Sequence, residues 1–251
     1  MDMRPVYTTT PDRPLLIMVP GFFTKPLTPG IIVDRSWDLG VISICKSHDL
    51  NGCVVNWNSG NILDLNFSVA SLYNGRSLES ALRSWRSACD NAEQCAVSLS
   101  QYIQTQKSNV YLLGHSLGGR IALKVAESLP LTRLIALAPA IDIHNVDYTS
   151  IVRSVAERPA VCYSYRDRVL STLFTCGQSP HKIADVVKNA RLEPGRTLRN
   201  IAHILNSRAT APALGLVGVP ESHASDFTCV DTRLRHAEYV SNVSQLWSMV
   251  T

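Results

Sequence analysis

The sequence predicts a mostly parallel α/β sheet of about six strands with helices on both faces, in one domain over residues 1–251. Three observations carry this expectation: short apolar runs without alternation, amphipathic stretches between them, and an order that keeps the two kinds alternating. The runs are Leu15–Val19, Cys53–Trp57, Val110–Leu113, Leu134–Ala138, Ala160–Tyr163 and Leu214–Val219. Several are rich in Val, Ile and Leu, as strands buried on both faces are. Strand–helix alternation of this spacing requires right-handed crossovers and so a parallel sheet. The expected spatial order is Cys53–Trp57, Leu15–Val19, Val110–Leu113, Leu134–Ala138, Ala160–Tyr163, Leu214–Val219.

Taken in order, the run Leu15–Val19 ends at Pro20-Gly21, and Cys53–Trp57 follows as the second strand. The clearest helix spans Ser77 to Gln104. Leu78, Leu82, Trp85, Cys89, Ala92, Ala96, Leu99 and Ile103 recur at alternating steps of 4 and 3, a single helical stripe. After Val110–Leu113 another helix starts at Ser116, carries Ile121, Ala122, Val125 and Leu129, and stops at Pro130. The stretch 175–213 is polar and basic, with turn signals at Pro180 and Pro194-Gly195 and short helices expected around Ile183–Val187 and Leu198–Leu205. Such an insertion before the last strand is either a lid over a substrate pocket or an ordinary long crossover.

The chemistry lies in Gly114-His115-Ser116-Leu117-Gly118, a Gly-x-Ser-x-Gly between a strand and a helix. A serine on so tight a turn needs small flanking residues and is lifted above the sheet edge. The turn also aims the Leu117 N–H, at a helix N-terminus, toward a developing oxyanion. A serine hydroxyl needs a base, and the base needs a third group to orient it. Asp167, just past Ala160–Tyr163, is the expected acid, with Asp142 as its rival one strand earlier. His236, before a C-terminal helix, is the expected base, with His223 as its rival. The second oxyanion donor is expected from the loop after Leu15–Val19, at the N–H of Phe22. Phe23 is expected to line an acyl pocket, and His115 to pack beside the nucleophile and contact substrate.

Composition narrows the classes. Charged residues make up 18% and the net charge is +4, too little and too dispersed for a nucleic-acid binder. Seven cysteines, an odd number without zinc-ligand spacing, read as buried small hydrophobes in a reducing compartment. No metal or organic cofactor is implied. No apolar run reaches the length of a signal h-region or a membrane span. A cytoplasmic protein is expected, with peripheral membrane contact and export without a cleavable signal left open.

These residues together resemble the α/β-hydrolase superfamily over nearly the whole chain, from Leu15 onward. Within it the chain is similar to the transmembrane and coiled-coil domain-containing hydrolase-like proteins. The pieces that carry this are Val19-Pro20-Gly21-Phe22, Val55-Asn56-Trp57-Asn58-Ser59-Gly60, Tyr111 through Arg120, Tyr163-Ser164 with Asp167-Arg168-Val169-Leu170, and Val230-Asp231 with His236 and Tyr239. The resemblance implies a lipase- or esterase-like activity and favours Asp167 and His236. The chain departs from the membrane-associated members in lacking a membrane span. Too few residues precede Leu15 for the two antiparallel leading strands of the full fold, which are therefore expected to be missing. The expected function is a serine hydrolase of small-molecule esters or lipids. An acyltransferase with the same triad and a non-catalytic binding protein are the alternatives.

Overall fold

The computed structural model describes residues 1–21, 36–59, 75–174 and 212–251. The strands are β1 (Asp2–Tyr7), β2 (Leu15–Val19), β3 (Asn51–Asn56), β4 (Val110–His115), β5 (Arg133–Leu137), β6 (Ala160–Tyr163) and β7 (Thr228–Asp231). They form one sheet in the order β1-β3-β2-β4-β5-β6-β7, in which only β1 runs antiparallel to its neighbour. The helices are α1 (Ser36–His48), α2 (Gly75–Gln104), α3 (Leu117–Ala126), α4 (Tyr148–Ser154), α5 (Leu214–Val217) and α6 (Glu238–Val250).

The sheet order follows from the handedness of its crossovers. The chain leaves β2, returns as β3 on one side, then crosses to β4 on the other. Right-handed connections therefore put α1 and α2 on opposite faces. α6 packs beside α1, and α2 packs beside α3. The centre of the sheet is the driest part: Leu16 to Val19 of β2 and Leu134 to Leu137 of β5 are fully buried. Each Leu, Ile, Met or Val side chain among them contributes about 1.5–3 kcal/mol relative to exposure. The stripe expected on the long helix buries Trp85, Ala92, Ala96, Leu99 and Ile103, and Ala88 and Cys95 widen it. Among the described residues no helix is long and apolar enough to cross a membrane.

Two expectations about strands are corrected. A leading antiparallel strand is present: β1 pairs along β3, and Arg4 on it grips Asp38 of α1 through two hydrogen bonds of 2.7 and 2.6 Å. The run Leu214–Val219 is not a strand but the short helix α5 and its exit, and the last strand is Thr228–Asp231. The short helices expected around Ile183–Val187 and Leu198–Leu205, nearly all of the insertion 175–213, and Phe22 and Phe23 lie outside the described residues.

Candidate active site

The site forms where β4, β6 and β7 end at their carboxyl edges, the usual place in an open α/β sheet. β4 runs directly into Ser116, whose backbone sits at φ 57° and ψ −121° before α3 begins. A non-glycine residue there stores about 1–3 kcal/mol of strain, which the surroundings must hold in place. They do so on several sides. The Ser116 N–H donates to Leu137 O at 2.9 Å, and the Ser116 carbonyl accepts from Ala140 N–H at 2.9 Å and Arg120 N–H at 3.1 Å. The turn is pressed against the end of β2. A Cβ added to Gly118 would lie 2.0 Å from Val19 O, and one added to Gly21 would lie 2.7 Å from Ser116 Cβ.

The structure brings three of the expected side chains into one hydrogen-bonded line. Ser116 Oγ lies 2.9 Å from His236 Nε2, and His236 Nδ1 lies 2.6 Å from Asp167 Oδ2. With the proton of a neutral His236 on Nδ1, the ring donates to Asp167 and accepts from the Ser116 hydroxyl. Asp167 is fully buried, and its other oxygen accepts from Leu170 N–H at 3.0 Å. A carboxylate so enclosed is stabilised by its pairing with His236 and cannot swing away from it.

His236 is carried by a loop between β7 and α6 that is tied down by side chains. Thr232 Oγ1 lies 3.1 Å from Tyr163 O and 2.8 Å from Tyr239 Oη. Its single proton goes to the carbonyl, so the Tyr239 hydroxyl donates to it, and Leu234 N–H donates at 3.3 Å. Glu238 Oε2 accepts from Arg235 N–H at 2.7 Å. Burial pushes the Tyr239 phenol well above its ordinary value, so it remains a donor.

The remaining candidates fall as follows. The Leu117 N–H opens α3, where a helix leaves its first amides without a helical partner. His115 lies behind Ser116 with its ring 4.7 Å from that of His236. Asp142 is spent on a local cap, accepting from His144 N–H at 2.8 Å. His223 stacks on Tyr148 at 4.9 Å, and neither it nor Asp142 joins the Ser116 line. Two supporting contacts were not anticipated from the sequence. The Trp57 indole N–H donates to Pro20 O at 2.9 Å, just past the end of β2, and Thr232 latches the histidine loop. Six cysteines of the described residues are free thiols, and burial pushes those of Cys53 and Cys162 up to about 12. Among the described residues no three His, Cys, Asp or Glu gather as a metal site.

Residues 74–204, more than half of the chain, match the family model Hydrolase_4, described as serine aminopeptidase S33. The matched stretch contains Ser116 and Asp167 and ends before His236. A search of curated proteins finds no match. Similar solved structures include LpqC, a poly(3-hydroxybutyrate) depolymerase from Bordetella parapertussis. It is 18% identical, with 98% of this chain and 82% of that one covered, at a TM-score of 0.44. The Pyrococcus furiosus esterase Pf2001 is 10% identical, covering 95% and 80%, at 0.45. Alpha/beta hydrolase domain-containing protein 10 from mouse is 14% identical, covering 99% and 94%, at 0.42.

Proposed function

The chain belongs to the serine aminopeptidase S33 family of hydrolases, and from that premise we propose a serine hydrolase that cleaves carboxylic esters through an acyl-enzyme on Ser116. The observation that carries the proposal is the line Ser116–His236–Asp167, with contacts of 2.9 and 2.6 Å. Ser116 Oγ attacks the ester carbonyl carbon while His236 Nε2 takes its proton. Asp167 holds the ring orientation and balances the imidazolium that forms. The carbonyl oxygen becomes an oxyanion facing the Leu117 N–H, with the Phe22 N–H as its second donor. His236 then passes the proton to the departing alkoxide, leaving the acyl group on Ser116. A water gives its proton to His236, attacks the acyl carbon and frees the acid, and the proton returns to Ser116.

The ester preference follows the resemblance to lipase- and esterase-like hydrolases, and small esters or lipids are its substrate class. The family description names an amide-cleaving enzyme, and the same chemistry reaches amides. Fluorophosphonate labelling, p-nitrophenyl esters of increasing chain length and aminoacyl p-nitroanilides therefore belong in one screen. Added alcohol acceptors separate hydrolysis from acyl transfer. Ser116→Ala is expected to abolish labelling and lower ester turnover by about 10⁴- to 10⁶-fold. His236→Ala is expected to follow it closely and Asp167→Asn to be strongly impaired, while His223→Ala and Asp142→Asn keep most activity. Labelling that survives in Ser116→Ala would remove the serine mechanism.

A further inference from the structure

His115 stands beside the proposed nucleophile, and no step of the reaction uses it. It is 6% exposed. Its ring is enclosed by Trp37 of α1 at 5.1 Å, His236 at 4.7 Å and Tyr239 of α6 at 5.6 Å. One edge reaches the histidine loop: Nε2 lies 3.2 Å from the His236 carbonyl oxygen. The other edge faces the loop after β2, where a Cβ added to Gly21 would sit 3.2 Å from Nδ1. The imidazole is thus a post between the two loops that flank Ser116.

The carbonyl can only accept, so Nε2 carries the proton and Nδ1 does not. Burial holds His115 well below the usual histidine value, and the charge of a protonated His236 pushes the same way. A neutral post suits its place, because His236 becomes cationic in each turnover and a second cation beside it would oppose that step.

We infer that His115 is a positioning residue for His236: its Nε2–H, bonded to the His236 carbonyl, fixes the backbone from which the base reaches Ser116. The inference builds on the serine mechanism proposed above and departs from the substrate contact expected of His115 from its sequence. Because the proton-transfer contact is short and directional, a base displaced by about 1 Å costs on the order of 100-fold in rate.

The test compares His115→Phe, His115→Gln and His115→Asn on a short p-nitrophenyl ester, following kcat, KM and the downfield proton resonance of the His236–Asp167 hydrogen bond. Phe keeps the ring and loses the donor. The Gln amide nitrogen reaches about as far as Nε2, and that of Asn falls short. His115→Phe is expected to lower kcat by about 10- to 100-fold with KM within about twofold, and to broaden the resonance. His115→Gln is expected to restore both, and His115→Asn is not. If a folded His115→Phe keeps kcat and the resonance, the inference is overturned. It is equally overturned if the variants lose activity alike while the resonance stays sharp, which would mark packing alone. If His115→Phe does not fold, the Gln and Asn variants decide: equal activity overturns the inference, and activity in Gln alone supports it. Ser116→Ala and His236→Ala run in parallel. Turnover surviving in either removes the serine mechanism itself, which none of the His115 outcomes does.

Discussion

The two loops that meet at the site are held by different means. The turn at Ser116 is held by backbone: the Leu137 carbonyl of β5, the Ala140 amide just past it and the Arg120 amide of α3 bond Ser116, and Gly118 lets the turn press on β2. The loop of His236 is held by side chains: Thr232, Tyr239 and Glu238 tie it to β6 and to the first turn of α6. Backbone constraints are written in a short contiguous motif. Side-chain anchors are written in residues scattered along the chain. One half should therefore fail all at once when a glycine is changed, and the other in increments when an anchor is removed.

The sharpest break is expected at Gly118. Its absent Cβ would meet Val19 O at 2.0 Å and Pro20 O at 2.5 Å. Both are backbone atoms at the end of β2, so no side chain can give way. Gly118→Ala is expected to cost more than about 4 kcal/mol, the range reserved for severe overpacking. Chemical denaturation or the yield of soluble protein measures it. A variant within about 1 kcal/mol of the parent would break the comparison at its stronger end.

The same division explains what the sequence disclosed. The turn is legible from glycines at fixed places, the five central strands from short apolar runs buried on both faces, and α2 from its single apolar stripe. The sheet edges were not. β1 carries Arg4 and Pro5 and belongs to the sheet through backbone pairing with β3 and the Arg4–Asp38 pair. β7 is Thr-Cys-Val-Asp, half exposed, with no apolar run to announce it. The sequence pattern instead puts the last strand at Leu214–Val219, a segment that is apolar for another reason. That segment tucks Leu214 and Gly215 under the end of β5, where a Cβ on Gly215 would meet Ala138 C at 2.3 Å, and Gly218 at φ 80° turns the chain out. Asp167 and His236 were favoured by chain order and by the likeness to a hydrolase family. The Thr232 latch has no signal of its own: Tyr163 and Tyr239 stand in the segments that carry the family resemblance, but nothing in the pattern pairs either with Thr232.

Removing one anchor tests the weaker half. Thr232→Val keeps the shape and deletes the hydroxyl that accepts from Tyr239 and Leu234. Tyr239 is fully buried, so its hydroxyl is left without that partner. The expected cost is about 1–3 kcal/mol, with reduced turnover and Ser116 still open to fluorophosphonate. Thr232→Ser is expected to behave like the parent. Adding Tyr239→Phe to Thr232→Val should recover part of the loss, since removing both partners leaves no stranded polar group. A strictly additive double variant would mean that the two side chains do not act as one anchor.

The smallest effect sharpens the comparison at the residue that belongs to both halves. His115 lies in the turn motif but braces the histidine loop, and burial holds its folded-state value well below the ordinary histidine range. Below about pH 6.5 the unfolded chain therefore takes up a proton that the folded chain refuses. Stability rises with pH wherever the unfolded state binds more protons, so acidification from this point lowers it. One such group contributes a slope of at most about 1.4 kcal/mol per pH unit. His115→Gln has nothing to titrate there. It is expected to lose less stability than the parent between about pH 6.5 and 5, while the two run parallel between about pH 7 and 8, where neither side chain changes charge. His236, 4.7 Å away, is kept in both proteins, so the two curves differ by the side chain at position 115 alone. Denaturation midpoints across that range measure it. Identical acid slopes would mean that His115 is protonated as readily in the folded chain as in the unfolded one, and the neutral post between the two loops would be gone.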